Sequence, residues 1–213
     1  GKEYYDALVA GVNKTVITSQ QLAQIYNTKD SLLNHKYTRK YFEQNDRFEV
    51  HYQVPIHFEY RGVTCKGLLD MLVIDKEKKE MTPIDIKTTN VKTTNWVSMF
   101  WKLRYDFQAA FYFNGLVQGN YMEKFGCTSI NDFRFIVESQ TNPGTPLVFV
   151  AGQNILEFGQ YGGKMVTKDY EGFHQALERL VWHAENDLWD YPMEDYLNKG
   201  VRVLTLPKLG ENG

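Results

Sequence analysis

With 213 residues, 43% of them apolar and 23% charged, the chain can bury one substantial core and needs neither a disulfide nor a structural metal to fold. A formal net charge of −2 excludes a generally basic surface, so any DNA-binding face must be a local patch offset by acidic surface elsewhere. Cys65 and Cys127 lie in no CxxC pattern and exclude a four-thiolate cluster, and no apolar run approaches the length of a membrane span. A cytoplasmic location without membrane contact is expected, with no signal peptide. No interior linker divides the chain, so 1–213 is expected to be a single domain with 1–17 and 206–213 as loose ends.

In chain order, the first predicted element is a helix over 18–43. Thr18 and Gln21 have the spacing of a capping box, and Leu22, Ile25, Leu32 and Leu33 give an interrupted apolar face. Lys36, Arg39 and Lys40 would occupy one turn of it, either as a phosphate-binding face or, more plainly, as a solvated one. From Phe48 the pattern becomes that of strands: FEVHYQVPIHFEY, an Arg61-Gly62 turn, then VTCKGLLDMLVID. Gly67 inside the second strand points to a bulge or a close backbone approach. The charged run KEKKE at 76–80 leads into TPIDIK, which predicts an antiparallel hairpin.

Residues 98–118 predict the clearest helix, with Met99, Leu103, Phe107, Ala110 and Phe111 on one side. Trp101, Tyr105, Gln108 and Tyr112 share another side. Trp96 and Trp101 suit either a core or base stacking. Strands DFRFIVE (132–138) and PLVFVA (146–151) follow, then a helix over 170–188 with Phe173, Leu177, Leu180, Val181 and Ala184 as its apolar stripe. The order helix, three strands, helix, two strands, helix predicts an α/β fold with a mixed sheet flanked by helices. The repeat of KTTN at 87–90 and 92–95 is too short to mean a repeat architecture.

The chemistry is concentrated around residues 84–87, where Ile84 and Ile86 alternate with Asp85 and Lys87. A surface salt bridge on an exposed sheet is the plain reading of that alternation. However, Asp70 stands on the preceding strand of the hairpin, so Asp70 and Asp85 can approach each other. Two carboxylates held close oppose each other's ionisation, and a hard divalent cation, Mg²⁺ or Mn²⁺, removes that conflict. Asp70, Asp85 and the carbonyl of Ile86 are the expected ligands, and Glu49 on the first strand is the candidate for a further carboxylate. Lys87, on the face of Asp85, can orient a water or offset charge on a phosphoryl group undergoing hydrolysis. The five histidines, His35, His51, His57, His174 and His183, are read as surface or structural residues rather than ligands.

These residues carry a family resemblance. Asp70 followed by Asp85-x-Lys87 resembles the PD-(D/E)xK nuclease signature, and Gln108-x-x-x-Tyr112 resembles the QxxxY motif of the RecB-like branch. CKGLLD, PIDIKTT, YDFQAAFY, LEFG (156–159) and WDYP (189–192) are similar to the RecE or exodeoxyribonuclease VIII-like group, over residues 18 to 205. The resemblance implies a restriction-endonuclease-like core and a Mg²⁺-dependent exonuclease that degrades linear double-stranded DNA from free ends. It further implies a homo-oligomeric ring that hands single strands to an annealing recombinase. Gln108 and Tyr112 join Asp70, Asp85 and Lys87 as its site residues, and Glu49 matches its upstream acidic position. The group's GxxxH-type motif is not found ahead of Asp70 in this sequence. The alternatives are a RecB-type nuclease of other polarity or single-strand preference, and a catalytically idle DNA- or protein-binding module of the same fold.

Overall fold

A computed structural model of the protein describes residues 2–11 and 16–204. Helix α1 (Lys2–Gly11) lies in a stretch where the sequence predicts no element, and α2 (Ser19–Asn34) follows. The predicted capping box is present: Thr18 Oγ1 accepts from the Gln21 N–H at 3.1 Å, and Gln21 Oε1 accepts from the Thr18 N–H at 2.8 Å. The helix ends at Asn34 and does not run to 43, because His35 turns extended and the buried Thr38 hydroxyl donates to the Leu32 carbonyl at 2.6 Å. A 3₁₀ turn over Arg39–Tyr41 follows, so Lys36, Arg39 and Lys40 do not share one helical turn. Lys36 and Lys40 instead lie over the rings of Tyr37 and Tyr41.

Strands β1 (Phe48–Tyr60) and β2 (Val63–Asp75) form a long antiparallel hairpin closed at Arg61-Gly62, where both residues have positive φ as a tight two-residue turn requires. Strand β3 (Glu80–Thr89) pairs antiparallel with β2, as predicted. The predicted helix over 98–118 is two helices, α3 (Trp96–Lys102) and α4 (Tyr105–Gln118), broken where Arg104 adopts the left-handed conformation at φ 55°. The short α5 (Tyr121–Lys124) and β4 (Ser129–Ile130) precede β5 (Phe133–Ser139), which runs parallel to β3, and β6 (Leu147–Ala151), which returns antiparallel. The sheet order is β1-β2-β3-β5-β6 with β4 also against β3. This is the expected mixed α/β sheet flanked by helices. Helix α6 (Gln153–Tyr161), the hairpin β7 (Gly163–Met165) with β8 (Lys168–Tyr170), and α8 (Met193–Leu197) have no counterpart in the sequence reading. The late helix α7 (Phe173–Asn186) was expected; of its stripe, Phe173 and Val181 are buried whereas Leu180 is 41% exposed.

Each face of the sheet carries its own core. One holds Val54, Ile56, Leu69, Leu72, Trp96, Phe133 and Phe135 under α3, α4 and α6; the other holds Val50, Met71, Val73, Ile84 and Ile136 against Leu32 of α2. Leu69 and Leu72 share a face although they are three residues apart, and Val50 and Val54 face opposite sides although they are four apart. Alternation therefore slips by one residue in both strands of the hairpin. The ladder passes from Tyr52↔Met71 to Val54↔Leu69, leaving Gln53 and Asp70 opposite each other and unpaired, with Gln53 at φ 51°. Residues 206–213, expected to be loose, lie outside the described residues, and no described helix is long and apolar enough to cross a membrane.

Candidate active site

The paired slip in β1 and β2 coincides with a fork in the sheet. Pairing between β2 and β3 ends at Met71↔Ile84, so Asp70 and Asp85 are the first residues beyond the last pair. Where the strands part, the Asp70 carboxylate takes over from the ladder: its Oδ2 accepts from the Ile86 N–H at 2.9 Å. A backbone donor that loses its strand partner is thereby satisfied by the side chain released from the ladder. Asp70 Oδ1 accepts from Gln53 Nε2 at 3.3 Å.

Asp85 points to the helical face of β3 and is only 2% exposed. Lys87, two residues on and therefore on the same face, places Nζ 2.7 Å from Asp85 Oδ2. Lys87 acts on Asp85 both through its charge and as a hydrogen-bond donor. Burial raises the Asp85 pKa to about 6, against the opposing pull of the Lys87 charge and with a further push from Asp70. Burial prevails because removing a carboxylate from water costs more than one ammonium returns. Lys87 is itself confined, with Nζ 4.6 Å from the centre of the Tyr105 ring.

Helix α4 supplies the remaining groups. Gln108 Nε2 lies 3.3 Å from Asp85 Oδ1 and 3.4 Å from the Tyr112 hydroxyl, one helical turn away. The start of α4 is fixed by Arg104, whose guanidinium embraces the fully buried Asp106 carboxylate at 2.9 to 3.3 Å and donates to the Glu171 carbonyl at 2.6 Å. Gly159 of α6 packs so closely on the Asp106 backbone that a Cβ there would lie 2.1 Å from its carbonyl oxygen. These contacts set the height at which Gln108 meets the sheet.

The structure thus brings together Asp70, Asp85, Lys87, Gln108 and Tyr112. It does not bring Glu49 to them. Glu49 pairs with Ile74, four residues along β2 from Asp70 and roughly 13 Å away at strand spacing, and its Oε1 lies 3.0 Å from His51 Nε2. Ile86 contacts Asp70 through its N–H. Trp96 is core, 2% exposed and surrounded by Phe100, Tyr105, Phe135 and Phe149, while Trp101 packs edge-on against Phe100 and Phe158. A groove of about 830 Å³ between α2 and the sheet, lined by Ile25, Leu32, Tyr52, Ile86 and Thr88, lies on the face of β3 away from Asp85 and Lys87, so it is not the chemical site.

Gln53 and Tyr105 are the residues that sequence reasoning missed. Nothing in FEVHYQVPIHF marks Gln53, because Val50, Val54, Ile56 and Phe58 read as one unbroken face. Tyr105 was placed on the stripe of Gln108 without a role.

Among the described residues, no three or more His, Cys, Asp or Glu side chains cluster as a metal cage. Two carboxylates near enough for the Asp70 charge to act on Asp85, at the end of the β2–β3 pairing, nevertheless offer oxygen donors that fit a hard cation that keeps most of its waters, as Mg²⁺ does. They do not fit Zn²⁺, which prefers nitrogen and sulfur donors.

Comparison with known proteins supports the same fold. A crystal structure described as a "Putative exonuclease" from Eubacterium rectale superposes with a TM-score of 0.52 at 15% identity, over 92% of this chain and 66% of that one. At that identity the likeness is one of fold, and this chain spans under two thirds of that protein. A second structure, described as SSO0001, gives a TM-score of 0.36 at 13% identity, over 93% of this chain and 73% of that one, too distant to argue from. No curated protein matches the sequence. The model of a family described as a "PDDEXK-like domain of unknown function (DUF3799)" matches residues 2–185, and with nearly the whole chain matched, the protein belongs to that family.

Proposed function

We propose that the protein is a metal-dependent exodeoxyribonuclease acting on the ends of linear double-stranded DNA in recombination. The observation that carries this reading is the fork at which Asp70 and Asp85 leave the ladder together, with Lys87 2.7 Å from Asp85. Such a pair is costly unless a cation occupies it. Asp70, Asp85 and the Ile86 carbonyl would hold a divalent ion, which when bound would supply an acidified water and a Lewis acid for a phosphoryl oxygen. The chain's own groups do the rest. Lys87 stands where it can hold the attacking water and offset charge growing on the phosphoryl group. Gln108, braced by Tyr112, donates to Asp85 Oδ1 and holds the carboxylate in place through the reaction. In hydrolysis the water oxygen bonds to phosphorus, the bond from phosphorus to the leaving sugar oxygen breaks, and that oxygen takes up a proton.

The exonuclease part rests on the resemblance to RecE-like enzymes and agrees with the description of the Eubacterium rectale structure. A net charge of −2 is ill suited to gripping duplex from outside. A homo-oligomeric ring that concentrates a few cations in its channel, and hands the surviving strand to an annealing recombinase, resolves that difficulty. The test is to incubate labelled linear duplex and covalently closed circles of the same sequence at matched ionic strength, with Mg²⁺ or Mn²⁺ and then with EDTA. Linear DNA should be degraded to nucleotides and one strand only with metal, and circles should survive. Equal rates on both would show an endonuclease; binding without cleavage in either metal would show an idle module.

A further inference from the structure

We propose that Gln53 is a positioning residue of this metal site. Its side-chain amide donates to Asp70 Oδ1 while the Ile86 N–H donates to Oδ2, and together they fix the carboxylate presented to a divalent cation. The inference rests on the metal-dependent reading above.

Three observations converge on Gln53. It is the residue directly across the hairpin from Asp70 at the one place where the ladder skips a pair, so the same interruption that takes Asp70 out of the ladder also frees Gln53. Its backbone is left-handed, at φ 51°, a conformation that Gly or Asn adopts at less cost. A long side chain retained in such a position points to a use for its far end. Its partner is also the one site carboxylate that is only half-buried, and hence the one free to swing; Asp85 is locked in by burial and by Gln108. Without Gln53, Asp70 keeps a single hydrogen bond and can rotate about it. A neutral amide adds no charge to a site already crowded by two carboxylates, and it leaves the outer lone pairs of Asp70 for the cation. Glu49, the expected third carboxylate, is too far along β1 to take this part.

The experiment is a Mn²⁺ titration followed by electron paramagnetic resonance, on the full chain without DNA, comparing wild type with Gln53→Gly and Gln53→Met. Both substitutions remove the donor but act oppositely on the backbone. Glycine relieves the left-handed strain and should raise the melting temperature in EDTA; methionine keeps the strain and should not. Both should bind Mn²⁺ roughly fivefold more weakly, the loss that goes with one hydrogen bond. A merely structural role predicts affinity that follows stability, with the glycine variant binding at least as tightly as wild type, and that result overturns the proposal while leaving the metal site standing. Absence of Mn²⁺ binding in wild type overturns the metal reading, and this inference with it.

Discussion

Gly67 of β2 lies directly against Tyr112 of α4: a Cβ on Gly67 would stand 2.6 Å from Tyr112 Cε1. The expected close approach in that strand is thus made by an aromatic ring. Space, not backbone conformation, selects glycine here, since φ at this position is not in the left-handed region. Because Tyr112 braces Gln108, which braces Asp85, Gly67→Ala should push this chain out of register. We expect cleavage to fall by about tenfold to a hundredfold, as displacement of about 1 Å at a site can cause. Adding Tyr112→Ala should restore the melting temperature lost in Gly67→Ala but not the activity; unchanged activity in the single variant would break the proposed link.

Asp85 makes the metal-free protein sensitive to pH in a defined direction. Its carboxyl titrates near 3.8 ordinarily and at about 6 in the fold. Below the first value both states hold the proton and nothing is lost. Between the two, only the unfolded chain ionises, so stability falls as pH rises, reaching a deficit of about 3 kcal/mol above pH 6. Asp85→Asn should therefore melt higher than wild type at pH 7.5 in EDTA, and the advantage should shrink toward pH 4. Adding Mg²⁺ at pH 7.5 should raise the melting point of wild type and leave that of Asp85→Asn unmoved. Calorimetry at both pH values decides the matter, and an advantage that grows toward acid would contradict the assignment.

Lys87 holds the Asp85 pKa down against burial. Removing the ammonium lets that pKa climb further, so Lys87→Ala should lose activity by about a hundredfold or more and shift the acidic limb of its pH–rate profile to higher pH. Mn²⁺ binding should survive near neutral pH. Gln108→Ala should weaken cleavage without abolishing it, with no comparable shift. Rate profiles from pH 5 to 9 separate the two, and a wild-type profile for Lys87→Ala would end its proposed role.

Arg104→Met is expected to destabilise the fold by about 3 kcal/mol or more, because it strands the fully buried Asp106 carboxylate. Urea unfolding monitored by tryptophan fluorescence measures the effect directly. A change under 1 kcal/mol would mean that the pair does not anchor α4.

The parts of the fold legible in sequence were those governed by local rules. The Thr18–Gln21 cap, the Arg61-Gly62 turn and the alternation of TPIDIK each depend on neighbours within a few residues. The break at Arg104 was not legible, because periodicity runs straight through 98–118 and the interruption is stabilised by Asp106 and by Glu171, 67 residues away. The distance of Glu49 from Asp70 was not legible for a related reason. An acidic residue on the right strand was visible, but its height along that strand depended on a register that sequence does not carry. The slip at Gln53 and Asp70 is masked by apolar residues on both sides of β2 from Leu68 to Ile74.

The fork gives the protein a native spectroscopic reporter. The Ile86 amide proton is the one backbone hydrogen at the site held by an ionisable side chain, Asp70 Oδ2 at 2.9 Å. When a cation draws charge from that carboxylate, the hydrogen bond weakens, and the ¹H and ¹⁵N resonances of Ile86 must move with it. Occupancy of the centre can thus be followed at a single assigned peak, without a label, a substrate or turnover, even with Mg²⁺, which is itself silent to electron paramagnetic resonance.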